Sequence, residues 1–470
     1  MRIERDFLGD VELPDNVYYG VQTWRAVSNF AVSGHRLDSD FIIALAVIKK
    51  AAAVTNMKIC LLTTEIGNAI VKAAEEVIAG QWHEQFVIDP IQGGAGTSMN
   101  MNANEVIANR AIEILGGKKG DYTLVSPNNH VNMAQSTNDV IPTAIRLATV
   151  KKARKLSHEL AALVESFRGK ADAFKDVLKM GRTHLQDAVP ITLGQEFAAY
   201  ADAVRRSTKR IEAAMQSLKE VNMGATAVGT GLNAEPAYIV EVVKQINLLT
   251  GEEFVLSNNL VDATQNTDVL AEFSGALKVC ALTLSKIAND LRLMASGPRC
   301  GFYEIFLPAL QPGSSIMPGK VNPVMPELIN QVAFQIVGND HVIGMAVEAG
   351  QMELNVMEPV LAYNLFNSLT MITNAVNAFN YKCIQGIKAN KHRCHEMVHK
   401  SLGVLTALTP HIGYEQASLI AKEALQTAKS VREIIMEKKM MTADQLDVIL
   451  SPREMTKPGI AGKEYMNWFC

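Results

Sequence analysis

A chain of 470 residues that is 48% hydrophobic and 6% aromatic has ample core-building material. It is too long for one simple core and reads as two or three domains or one elongated helical assembly. The formal charge of −3, with no Lys/Arg run and no aromatic-interleaved basic stripe, removes the electrostatic case for a nucleic-acid partner. The longest apolar run, FIIALAVI at 41–48, ends in Lys49 and Lys50 and is far too short to span a bilayer, so no membrane partner is expected.

The first residues, MRIERDFLGD, alternate charges and show no apolar targeting segment or small-residue cleavage site. Six cysteines (Cys60, Cys280, Cys300, Cys383, Cys394, Cys470) are scattered without a C-x-x-C pair. That pattern suits reduced thiols, and the expected location is the cytoplasm.

Ala, Leu, Glu, Lys and Met dominate and strand-like alternation is hard to find, so the composition predicts an all-α fold. Shifts in pattern divide the chain into an N-terminal mixed helical domain (1–138), a central domain of long helices (139–391) and a small C-terminal helical domain (392–470). In chain order, the first polar break is IQGGAGTSMNMN (91–102), which presents Thr97 and Ser98. Its GGAGTS lacks the Gly-Lys-Ser/Thr ending of a nucleotide phosphate loop. HVNMAQSTND (130–139) follows, with Ser136, Thr137 and Asn138. An STN before a helix is a good N-cap, and capping is compatible with anion binding, because a helix N-terminus offers both free N–H groups and a favourable dipole.

The next segment, 138–174, carries apolar residues at three- and four-residue steps (Ile145, Ala148, Leu156, Leu160, Leu163, Val164, Phe167) and is predicted as one long helix. MGRTHLQDAVP (180–190) reads as a loop carrying Thr183 and His184; a histidine alone in such a place is more often structural than catalytic. Two further long helices are predicted over 192–221 and 262–296, separated by the Gly-containing loop NMGATAVGTGLNAE (222–235). Rods of this length point to a bundle, and their Ala-rich faces to self-association.

The break at 308–327, PALQPGSSIMPGKVNPVMPE, presents Ser314, Ser315, Lys320 and Asn322. Gly313 and Gly319 permit motion while Pro318 and Pro323 restrict it, which describes a hinged lid; Ile316 and Met317 supply apolar surface to bury on closure. Further on, HEMVH (395–399) matches H-E-x-x-H formally and would place His395 and His399 on one helical face with Glu396 as base. Its flanks read as an exposed polar helix end and mark no third ligand, so a zinc protease is set aside.

Taken together, the loops supply many neutral donors, one certain cation and no carboxylate. Such a set suits a small polyanion and not a metal, since hard cations want carboxylate oxygens and zinc wants clustered His or Cys.

Four segments in this order, QSTNDVIPTA, GRTHLQDAVPITLGQE, GATAVGTGLNAE and GSSIMPGKVNP, resemble the aspartase/fumarase superfamily along essentially the whole chain. RIERDFLGDVELPDNVYYGVQT, and NPVMPE where class II fumarases typically read NPTQCE, are most similar to the bacterial aspartate ammonia-lyase branch. The resemblance implies a three-domain, nearly all-helical subunit with a long central bundle. It implies a homotetramer in which each active site collects loops from three subunits. The implied reaction is reversible deamination of L-aspartate to fumarate through C3 proton abstraction and an enediolate.

By position, Ser314 matches the catalytic base and His184 a second catalytic residue. Lys320 matches the group that holds the α-carboxylate, with Asn322 assisting. Thr97, Ser136, Thr137, Asn138, Thr183 and Ser315 match substrate-binding positions, several of them around the β-carboxylate. No organic cofactor and no required metal are implied. A class II fumarate hydratase and a non-catalytic helical structural protein are the alternatives.

Overall fold

The structure, a computed structural model, describes residues 1–427 and 429–466. Helices dominate; the longest are Ser39–Lys58, Thr97–Ile114, Thr137–Ala173, Leu193–Ser217, Asp268–Met294, Val324–Glu348 and Glu358–Lys382. The fold is all-α, as the composition predicts. Among the described residues no helix is long and apolar enough to cross a membrane.

The helix expected over 138–174 runs Thr137–Ala173. Its start is set by Ser136, whose Oγ accepts the Asn138 N–H (3.3 Å) while the Asp139 carboxylate accepts the Ser136 N–H (2.9 Å), a reciprocal cap. Pro142 lies inside the helix and cannot donate to the Asn138 carbonyl. That carbonyl instead accepts from Asn222 Nδ2 at 3.0 Å.

The helix expected over 262–296 is interrupted. Leu260–Gln265 ends at Asn266, which is extended (φ −107°, ψ 136°), and Asp268–Met294 begins two residues later. The break is held by side chains: Asn266 donates to Asp262 (2.7 Å), and Thr267 Oγ1 accepts from Asn355 (3.0 Å). These polar bonds override a periodicity that would otherwise continue.

Two compact units are resolved, each built from separated stretches of chain. The first comprises Met1–His158, Thr208–Ala281 and Val332–Thr373. It opens with an antiparallel hairpin, Arg2–Asp6 on Gly9–Leu13, which the composition did not suggest. Its core is dense in small residues: Ala46, Ala51 and Ala52 of helix Ser39–Lys58 and Ala73 and Ala74 of helix Thr64–Ile78 are fully buried, which lets helix axes approach closely. Leu45, Ile48 and Ile70 fill the remaining space, each burial contributing roughly 1.5–3 kcal/mol.

The second unit comprises Glu159–Ser207, Leu282–Gln331 and Asn374–Cys470. Its short C-terminal helices enclose a core of Val398, Leu408, Ile420, Ile434, Ile435, Leu446 and Ile449. Met180 belongs to the same core, and this explains a correction to the sequence reading. The segment 180–190, expected as a loop, is an antiparallel hairpin, Leu178–Thr183 on Gln186–Thr192, with a bulge between Met180 and Arg182. Neither strand is apolar enough to announce itself; Met180 packing into a core made from residues more than two hundred positions later stabilises the pair.

Candidate active site

In the first unit two helix N-termini carry the expected hydroxyls. Gly94, Ala95 and Gly96 are all left-handed (φ +87°, +56° and +88°) and turn the chain sharply into the helix that starts at Thr97. Glycine is required at 96, since a Cβ there would also lie 3.0 Å from Ile141. Thr97 is exposed in the first helical turn. The second N-terminus is the Ser136–Asn138 turn, in which Ser136 caps, Thr137 is buried, and Asn138 Nδ2 donates to the Ala227 carbonyl (2.7 Å). The capping role of STN is therefore real. It is compatible with the favourable dipole at both helix starts, which suits a carboxylate.

Asp139 holds this turn from below. It is fully buried and accepts from the N–H groups of Ser136 (2.9 Å), Thr226 (3.0 Å) and Gly224 (3.1 Å). Burial pushes its carboxyl up to about 6, while those three donors and Lys49 pull it back. The GATAVGT segment thus cradles a buried carboxylate; a sequence pattern of Gly, Ala and Thr does not reveal the acid it serves.

In the second unit, Thr183 ends a strand, and His184 and Leu185 (φ +58° and +60°) form the two-residue turn to the next. Both central residues at positive φ is the I′ geometry, usually Asn-Gly; here a histidine and a leucine bear the strain. The base of the hairpin is fixed by charge. Arg182 donates to Glu304 Oε1 (2.7 Å), a fully buried carboxylate, and Lys179 pairs with Glu196 (3.0 Å). Thr183 and His184 are exposed at the tip.

The 313–322 loop closes on itself. Gly313 N–H donates to the Lys320 carbonyl (2.7 Å), and Asn322 Nδ2 donates to the Gly313 carbonyl (2.8 Å). A Cβ on Gly313 would sit 2.8 Å from both Asn322 N and the Lys320 carbonyl oxygen, so only glycine permits the closure. Within the ring Ser314 Oγ accepts the N–H groups of Met317 (3.0 Å) and Ile316 (3.2 Å). Two donors aimed at one hydroxyl oxygen favour its alkoxide, as in an oxyanion hole.

Ser315 and Lys320 are exposed, and so are the apolar Ile316 (82%) and Met317 (51%) beside them. A cavity of about 760 Å³ adjoins the loop, lined by Lys320, Asn322, Arg292, Ser296, Tyr303 and Glu327. Asn322 closes the loop with one proton of its amide NH2, which carries a second.

Of the ten expected residues, Thr97, Ser136, Thr137 and Asn138 lie in the first unit; Thr183, His184, Ser314, Ser315, Lys320 and Asn322 lie in the second. HEMVH falls in helix Lys391–Lys400 with His395 Nε2 and His399 Nε2 2.8 Å apart. Glu396 is bound by Lys400 (2.7 Å) and Arg393 (3.0 Å), which hold its carboxyl down at about 2 and make it a poor base. Among the described residues no group of three His, Cys, Asp or Glu is placed to hold a metal ion.

Backbone N–H groups around a serine, a lone lysine on the same loop and hydroxyls at helix N-termini are donors suited to a small anion, and they are carried by an all-α scaffold. The family model described as Lyase matches residues 9–338, and one described as Fumarase C C-terminus matches 404–457. The chain belongs to this lyase family, within the aspartase/fumarase superfamily.

It is 59% identical over 465 residues to the aspartate ammonia-lyase of Bacillus subtilis (strain 168), covering 99% of this chain and 98% of that one. Among solved structures it is similar to the cobalt-bound fumarate lyase:delta crystallin of Brucella melitensis (TM-score 0.95, 48% identity, covering 97% of this chain and 100% of that one). It is also similar to the class II fumarase of Schistosoma mansoni (TM-score 0.92, 37% identity, 97% and 99% covered).

Proposed function

We propose that this chain is an aspartate ammonia-lyase, a carbon–nitrogen lyase that interconverts L-aspartate with fumarate and ammonia. The observation that carries the reading is the 59% identity to an aspartate ammonia-lyase over nearly the whole of both chains, against 37% to a class II fumarase. The sequence NPVMPE in place of NPTQCE leans the same way.

The chemical obstacle is the C3 proton, which is weakly acidic because its loss puts a second negative charge on the neighbouring carboxylate. The site must therefore fit the enediolate better than aspartate itself. Ser314, its alkoxide favoured by the Ile316 and Met317 N–H groups, takes the proton. Thr97, Ser136, Thr137, Thr183 and His184 surround the β-carboxylate where charge develops. Asn138 and Ser315 complete the substrate-binding set. Lys320 with Asn322 holds the α-carboxylate. Loss of one well-aimed donor is expected to cost roughly 3–4 kcal/mol of transition-state stabilisation.

The two groups of donors meet in a homotetramer in which three subunits contribute loops to each site. The protein works in the cytoplasm, without an organic cofactor, and is organised in three domains divided at about 138 and 391. Incubation of the purified protein with L-aspartate or L-malate, following fumarate absorbance, tests the reaction. Fumarate from aspartate with release of ammonia supports it. Fumarate from malate alone would make the protein a hydratase, and no fumarate from either would make it a structural relative.

A further inference from the structure

Among the buried ionisable groups of the first unit that the scheme above leaves unused, Lys49 stands against the segments that carry the expected donors. Lys49 ends the apolar run FIIALAVI on helix Ser39–Lys58 and is completely buried. A buried ammonium is costly unless each proton meets an acceptor, and here each does. Lys49 Nζ donates to Asn100 Oδ1 (2.6 Å), Gln135 Oε1 (2.9 Å) and Asn132 Oδ1 (3.0 Å).

These acceptors are not scattered. Asn100 lies in the first turn of the helix that Thr97 begins, and Gln135 immediately precedes Ser136. Asn132 joins the two: its Oδ1 also accepts from Asn100 (3.1 Å) and Asn104 (3.2 Å), and its Nδ2 donates to the Gln135 carbonyl (3.2 Å). Gln135 Nε2 is taken by the carbonyls of Val131 (3.0 Å) and Met133 (3.1 Å), so its side chain has no freedom left. The Ser136 turn is thus clamped by Gln135 before it and by Asp139 after it.

We propose that Lys49 is a positioning residue for the substrate carboxylate: it locks the Thr97 helix and the Ser136–Asn138 turn in register without touching substrate. The inference rests on the aspartase reading of those donors. A core filler at this place would be apolar. Burial drives the Lys49 amine down to about 7 against the opposing pull of Asp139, a desolvation cost that an apolar side chain at this place would not carry. Three amide oxygens facing inward need a donor, and the long Lys49 side chain brings its amine to all three.

The test is Lys49→Met in the full-length protein, measured alongside wild type and Ser136→Ala. The readouts are KM and kcat for L-aspartate and KI for succinate, a dicarboxylate that binds without reacting. Lys49→Met is expected to raise both KM and KI about tenfold or more, because displaced donors weaken carboxylate binding. A fall in kcat with KM and KI unchanged would mean only a smaller folded fraction and would overturn the proposal. If Lys49→Met does not fold, Gln135→Leu, which keeps the ammonium and two of its acceptors, is judged by the same two constants. Unchanged KM and KI in Ser136→Ala would instead count against the assignment of the turn as a substrate site, separating that failure from this one.

Discussion

At the level of single residues, the chemistry depends on where ordinary side chains sit. In the proposed mechanism Ser314 acts as the base, its alkoxide favoured by two N–H groups of its own loop that face its oxygen. Ser314→Ala should therefore lower kcat by about 10²- to 10⁴-fold, the range of a positioned base, with secondary structure unchanged by circular dichroism. Near-normal turnover in that variant would remove Ser314 from the mechanism.

Glu105 makes a second residue-scale prediction. It is fully buried and accepts from the N–H groups of Gly20 (2.8 Å), Gln22 (2.9 Å) and Thr23 (3.1 Å), yet burial pushes its carboxyl up to about 7. The folded state then holds a proton that the unfolded chain releases at an ordinary carboxylate pKa. Stability attributable to this group is greatest below about pH 4.5 and falls as pH rises to about 7, by on the order of 3 kcal/mol. Urea midpoints of wild type and Glu105→Gln at pH 5 and pH 7 should show a smaller decline in the variant. Equal declines would mean that Glu105 ionises normally.

Among elements, the hairpin and the long helices show how far local signals reach. The His184–Leu185 turn places a leucine, 63% exposed, at φ +60°. Left-handed geometry costs a non-glycine residue roughly 1–2 kcal/mol, and an exposed leucine gains little from packing. Leu185→Gly should raise the thermal midpoint, a gain of about 1 kcal/mol less the entropy of the added glycine. A lower midpoint would show that Leu185 makes a contact the hairpin needs. The helix Thr137–Ala173 behaves differently. Its periodicity, its cap and even its early proline are written locally, and Asn222 from a distant segment only completes what Pro142 leaves open.

For the whole molecule, helix Val324–Glu348 leaves Phe334 (69%), Val337 (37%) and Met345 (61%) exposed on one face. Spacings of three and eight residues keep these side chains on a single stripe. An apolar stripe of this kind fits self-association. Sedimentation should give a particle of four times the 51.2 kDa chain, and Phe334→Glu with Met345→Glu should yield smaller species whose activity falls with assembly. Full activity in a monomer would refute the sharing of sites between subunits.

Much of this protein is legible in its sequence. Long helices follow from a 3.6-residue apolar period, because helical hydrogen bonds and the faces they create are local. The Ser314 loop is equally readable, since Gly313 and the prolines around it restrict the backbone wherever they occur. Ser136 and Thr137 stand out because hydroxyls before an apolar run mark helix starts, and Thr97 because it follows the glycines of the break GGAGTS.

Other features have no local signature. The hairpin under His184 exists because Met180 enters a core built by the last eighty residues. The break at Asn266 is held in part by Asn355, which donates to Thr267 from 88 residues away. Lys49 and Asp139 carry no local mark of burial and become buried clamps only when distant segments close over them. Helix, cap and glycine hinge are decided by bonds between near neighbours, which one stretch of sequence contains. Burial, and with it the charge state of Lys49, Glu105 and Asp139, is decided by what packs against each residue from elsewhere in the chain.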